Sequence, residues 1–165
     1  MTRYITTKET ATLVRQALKA AFPGVKFSVR MGTGTGSAWL SVTWTDGPTD
    51  SQVTPLVDRY AGSVWNANND DSYVQNPSTL MAFADSELPE EVHFVVSGIN
   101  THRVMSETAK DGVIARIVKA LDGREFTAQN MEWLEVGDVY VRNVNYVENA
   151  IWQVFAGTSF VSVTA

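Results

Sequence analysis

Val25-Lys26-Phe27-Ser28-Val29-Arg30-Met31, followed by Gly32-Thr33-Gly34-Thr35-Gly36-Ser37 and then Trp39-Leu40-Ser41-Val42-Thr43-Trp44-Thr45, is the stretch that decides the fold. Apolar and polar residues alternate in both outer runs, the pattern of two half-buried strands. The glycine-rich connection is too short for a crossover, so the strands are antiparallel. A regular hairpin sets Met31 opposite Ala38, Arg30 opposite Trp39 and Val29 opposite Leu40. Its buried side carries Phe27, Val29, Val42 and Trp44; its outer side carries Lys26, Arg30, Trp39 and Thr43.

Before the hairpin, Thr6-Thr7-Lys8-Glu9 has the spacing of a capping box, and Val14, Leu18, Ala21 and Phe22 follow at helical steps up to Pro23-Gly24. The spacing predicts a helix over 7–21. After the hairpin, Asp46-Gly47-Pro48 turns the chain, and Val53, Leu56, Val57 and Tyr60 predict a second helix over 50–61. Pro55 conflicts with its interior, so the helix starts near that residue or bends there. A short strand near 63–65 and a short helix near 77–84 are expected next. Val92, Phe94 and Val96 mark a third strand, Gly98-Ile99-Asn100 a bulge or turn, and 101–105 a further strand. Ser106 is the cap of a third helix, which runs to Leu121 and is closed by Gly123. A last helix is expected over 144–157, with an extended reading of 138–147 left open, and 161–163 reads as a terminal strand or docked tail. The order α-β-β-α-(insert)-β-(β)-α-α gives an α+β fold, an antiparallel or mixed sheet packed by about four helices.

The chain has 165 residues, 44% of them hydrophobic and 19% charged, as expected for a single α+β domain over 1–165. It has no cysteine, which excludes disulfides and thiolate metal sites. No apolar run approaches the roughly 20 residues that cross a bilayer, and no signal-peptide pattern opens the chain. No membrane association is expected, and a reducing cytoplasm is the expected compartment.

Charge is uneven. Residues 1–60 carry seven basic and four acidic groups, whereas 61–100 carry no Lys or Arg and six acids: Asp70, Asp71, Asp85, Glu87, Glu90 and Glu91. With Asn66, Asn68, Asn69, Pro77 and Pro89, this marks 62–91 as an acidic, loop-rich insert. Its six carboxylates form the first candidate contact surface, suited to a protein with a basic surface. The second is the outer side of the hairpin, where Lys26, Arg30, Trp39 and Thr43 would receive nucleic acid by stacking and phosphate contact. The low pI of about 5.0 ranks nucleic acid second.

Motifs for chemistry are few. His93 and His102 have no partner at ligand spacing, no Gly-x-Ser-x-Gly is present, and Gly32-x-Gly34-x-Gly36 leads into a strand where a phosphate loop needs a helix. Asp70-Asp71 lacks the spacing of a calcium loop. No catalytic residue, metal ligand or cofactor is therefore assigned, and an enzyme of unknown class ranks third.

Tyr4-Ile5-Thr6-Thr7-Lys8-Glu9-Thr10, the run Leu18-Lys19-Ala20-Ala21-Phe22-Pro23-Gly24-Val25-Lys26-Phe27-Ser28-Val29-Arg30, and Val42-Thr43-Trp44-Thr45-Asp46-Gly47-Pro48-Thr49 resemble the large polyvalent protein-associated domain, family twenty-nine, over about 4–61. The resemblance implies a protein of a phage or conjugative element, some of which enter a new host cell with the DNA. It transfers no catalytic residue. The expected function is that of a non-catalytic accessory protein binding a host or element macromolecule, inhibition of a host defence system being one version.

Overall fold

A computed structural model describes residues 2–34, 38–66, 72–83 and 88–161. The chain gathers into two compact units, Met1–Trp44 with Ser51–His102, and Thr45–Asp50 with Arg103–Ala165.

In the first unit, β1 (Arg3–Ile5) leads into α1 (Thr7–Ala21). The capping box forms as the sequence predicts. The Thr6 hydroxyl accepts from the Glu9 N–H at 3.3 Å, and the Glu9 carboxylate accepts from the Thr6 N–H at 2.9 Å. These bonds, from Thr6 first, hold the Glu9 carboxyl below the usual range. The hairpin forms as β2 (Ser28–Met31) and β3 (Trp39–Thr45), antiparallel, but its register differs from the expectation. Met31 pairs with Leu40, Arg30 with Ser41 and Val29 with Val42. The Gly32 N–H reaches the Trp39 carbonyl at 2.9 Å, so the connecting loop lies one residue further along the chain than assumed. The displacement is two residues, which leaves every side chain on its predicted face.

Next comes α2 (Asp50–Asp58), which begins before Pro55 and contains it. It stops short of residue 61 because tight turns follow, Tyr60 N–H to Val57 carbonyl and Ala61 N–H to Asp58 carbonyl. In the expected insert, β4 (Ser63–Asn66) pairs antiparallel with β5 (Ser72–Gln75). The helix expected near 77–84 is corrected: Thr79–Met81 forms β6, paired antiparallel with β7 (Glu90–Phe94). Cross-strand pairing overrides local propensity there. On its other side β7 takes β1 in parallel, giving the order β1-β7-β6. Three residues are too few to show a period, so β1 escaped the sequence reading. A second sheet has the order β2-β3-β8, with β8 spanning Gly98–Val104.

Val14 and Leu18 of α1, Val53 and Val57 of α2, Leu40, Val42 and Trp44 of β3, and Val92 and Val96 make one core, all but inaccessible to solvent. Phe27 stacks against Trp44 with ring centres 5.6 Å apart, and Phe22 against Phe27 at 6.0 Å.

In the second unit, the Ser106 hydroxyl accepts from the Ala109 N–H to start α3 (Glu107–Leu121), and Asp122 (φ +49°) and Gly123 (φ +83°) end it in left-handed conformations. A short α4 (Ala128–Met131) follows, capped by Thr127, raising the helices among the described residues to five. Then comes a hairpin of β9 (Glu135–Val136) and β10 (Val139–Tyr140), so part of the extended alternative for 138–147 holds. Finally α5 (Val147–Gly157) starts later than the expected residue 144. Val113, Ile117, Leu121, Met131, Val141, Ile151, Val154 and Phe155 form this unit's own core. Arg103 is buried within it. Its guanidinium donates to the carbonyls of Asp46 (2.6 Å), Phe155 (2.7 Å), Gly47 (3.0 Å) and Thr158 (2.7 Å), and lies 4.0 Å from the Phe155 ring centre. Beyond Val161 the expected terminal strand lies outside the described residues. No helix among the described residues is long and apolar enough to cross a membrane.

Candidate functional site

Side chains alternate across the β2-β3-β8 sheet. Val29, Leu40, Val42, Trp44 and Ile99 turn toward α1 and α2 and join the first core. The Thr101 hydroxyl is 3.3 Å from that of Thr54 on α2, which places Thr101 on the same inner side. The residues between them therefore face outward: Ser28 and Arg30 on β2, Trp39, Ser41 and Thr43 on β3, and Gly98, Asn100 and His102 on β8. Arg30, Ser41, Asn100 and His102 are exposed, and Ser28, Trp39 and Thr43 are half-buried. Lys26, two residues before Ser28, is exposed as well. None of these residues of the face is a carboxylate.

The face brings together all four hairpin residues singled out in the sequence, in a corrected arrangement. Arg30 stands opposite Ser41, and Trp39 is its diagonal neighbour. A Cβ at Gly98 would run into the Trp39 ring, so the indole lies against the backbone of the adjacent strand. The bare glycine thus provides the seat for the aromatic ring. Asn100 and His102 were missed as members. Their signal was present in the alternation of Ile99, Thr101 and Arg103 with exposed Asn100, His102 and Val104, but Gly98 read as an interruption. On β2, the Val29 carbonyl accepts from the Arg15 guanidinium at 2.6 Å.

Of the six acids, Asp70, Asp71, Asp85 and Glu87 lie outside the described residues. Glu91 accepts from the hydroxyls of Ser78 (2.7 Å) and Thr2 (2.6 Å), and these bonds hold its carboxyl below the usual range. Glu90 lies 3.7 Å from Arg3, which is also 3.6 Å from Glu9. Both glutamates therefore hold the N-terminal residues next to β7.

A separate open groove of about 490 Å³ in the first unit is lined by Tyr4, Ser63, Gln75, His93 and Ser97, among others. Tyr4 meets His93 edge-on with ring centres 5.7 Å apart. Among the described residues, no three metal-ligating side chains come together.

No curated protein and no solved structure matches this chain. A family model does, and it runs well past Ala61, where the resemblance visible in the motifs stopped, through residues 62–91 and to the start of α3. Over residues 5–106 the match is to large polyvalent protein associated domain 29, and the chain belongs to that family.

Proposed function

We propose that this chain is a non-catalytic binding domain of a phage or conjugative element and that it holds single-stranded nucleic acid on the outer face of the β2-β3-β8 sheet. The observation that carries the reading is the composition of that face: Lys26, Arg30 and His102 around a half-buried Trp39, with Ser41, Thr43 and Asn100 as hydrogen-bonding neighbours and no acid among them. A flat sheet with an aromatic platform stacks bases, while cations at its margin meet phosphates. The net charge of −5 confines the attraction to this patch and makes it sensitive to salt. A basic protein docked on the acids was the first expectation from the sequence. It has less support, because Glu90 and Glu91 already have partners within the domain.

Fluorescence anisotropy with labelled single-stranded oligonucleotides at low salt tests the proposal. The double substitution Lys26→Glu and Arg30→Glu alters two exposed side chains, so the fold is retained. It should abolish binding, and each phosphate that is no longer neutralised should flatten the salt slope by about 1. Absence of wild-type binding at low salt, or equal binding by the double variant, would overturn it.

A further inference from the structure

In the second unit, Arg116 and Lys119 stand three residues apart on α3 and therefore share one side of the helix. With Ala120, Val136 and Gly137 they line a groove of about 370 Å³. Arg116 is held in place twice. One terminal nitrogen of its guanidinium donates to the Thr158 hydroxyl at 2.9 Å, and the other lies over Gly137, where a Cβ would come within 2.7 Å. Gly137 also has φ +64°, a conformation that glycine adopts without strain. A side chain at this turn would displace the guanidinium as well as strain the backbone. Among the described residues neither Arg116 nor Lys119 has a carboxylate within ion-pair distance; the ion pairs found there belong to Arg3. Among the described residues no acid lines the groove.

A fixed guanidinium with donors to spare, an exposed ammonium one turn away and a glycine backbone beside them make a seat for a tetrahedral oxyanion. We propose that this groove binds a phosphoryl or pyrophosphoryl group, with Arg116 gripping it by its planar fork and Lys119 adding charge. The site is independent of the sheet face, so either proposal can fail alone.

Amide NMR spectra of the full chain, titrated with inorganic pyrophosphate, test it. Saturable shifts centred on Gly137, Lys119 and Ala120 are expected, with acetate at matched ionic strength leaving them in place. A parallel titration with a single-stranded oligonucleotide separates the sources. Shifts with pyrophosphate alone assign the seat to a small phosphorylated compound, and shifts with both assign it to a strand phosphate. Lys119→Gln leaves the Arg116–Thr158 bond intact and should weaken pyrophosphate roughly tenfold, the loss of one charge-assisted bond. Arg116→Lys keeps the charge without the fork and should weaken it further. No saturable shift at these amides, or unchanged affinity in the folded Lys119→Gln variant, would overturn the assignment.

Discussion

Arg103 offers the sharpest test of how the second unit is held together. Burial pushes its guanidinium below the usual arginine range, partly countered by Asp50 and then Asp46, so the charge is kept at a cost. Four carbonyl oxygens compensate, two from the turn at Asp46-Gly47 and two from the end of α5 and the residue after it. A hydrogen bond to a charged group contributes about 1.5–3 kcal/mol, so simple addition would exceed any plausible effect. The Phe155 carbonyl also accepts from the Thr158 N–H and the Gly47 carbonyl from the Phe160 N–H, so part of the network survives truncation. Arg103→Ala should therefore cost about 2–6 kcal/mol, about 1–3 kcal/mol for each of the Asp46 and Thr158 carbonyls that lose their guanidinium donor.

Arg103→Met separates two contributions. It keeps an apolar stem over the Phe155 ring while removing all donors, so it should recover only the packing fraction of the loss. Arg103→Lys keeps the charge but has three donors in place of the planar fork, and should fall between wild type and Arg103→Met. Calorimetry gives the readout, since for a chain of this size each kcal/mol moves the melting temperature by about 2–4 °C. A loss below about 1 kcal/mol for Arg103→Ala would refute the reasoning, because the four carbonyls would then be satisfied as well by water.

Three further outcomes are expected. Gly98→Ala should displace the Trp39 indole, shift its emission and cost about 1–3 kcal/mol, as overpacking does; an unchanged spectrum would place the ring elsewhere. Burial raises the Asp58 carboxyl pKa at the C-terminal end of α2, so its charged form weakens folding at neutral pH and stability from this group grows as pH falls through the raised value. Asp58→Asn should accordingly need slightly more urea to unfold than wild type at pH 7, and the difference should vanish below pH about 4, where the carboxyl is protonated in both states. Ser78→Ala removes the largest cause of the lowered Glu91 pKa, so its titration midpoint by NMR should move up toward the ordinary glutamate range.

How far the sequence could be read depended on the length over which each signal persisted. The cap at Thr6, the stripe of α1 and the alternation of β2 and β3 each extend over several residues, and all appear where expected. The exact pairing did not, because two registers two residues apart bury the same side chains, and only the main-chain ladder itself distinguishes them. β1, β6, β9 and β10 have two or three residues each and are fixed by partners distant in sequence or by a turn, which no local period records. The same limit applied to the site. Lys26, Arg30, Trp39 and Thr43 were legible because they share one hairpin, whereas Asn100 and His102 join them only through the pairing of β3 with β8. Burial of a lone cation such as Arg103 was not legible, because its partners are main-chain carbonyls that any sequence supplies.

The two surfaces that the sequence proposed make one shared prediction and one opposed prediction. Both a basic protein on the acids and a nucleic acid on the sheet would bind more weakly as salt rises, since either attraction is screened over about 8–10 Å. Salt dependence alone therefore does not choose between them. Charge reversal does. Lys26→Glu and Arg30→Glu remove the cations that a strand's phosphates would meet, so nucleic acid binding should disappear. The same substitutions make the chain more acidic by four charges, which should speed the association of a basic protein steered by the overall field. A partner that no longer binds the Lys26→Glu/Arg30→Glu variant thus belongs to the sheet face. A partner that binds it faster belongs to the acids, and Trp39 on its glycine seat would then be a device for packing two strands together.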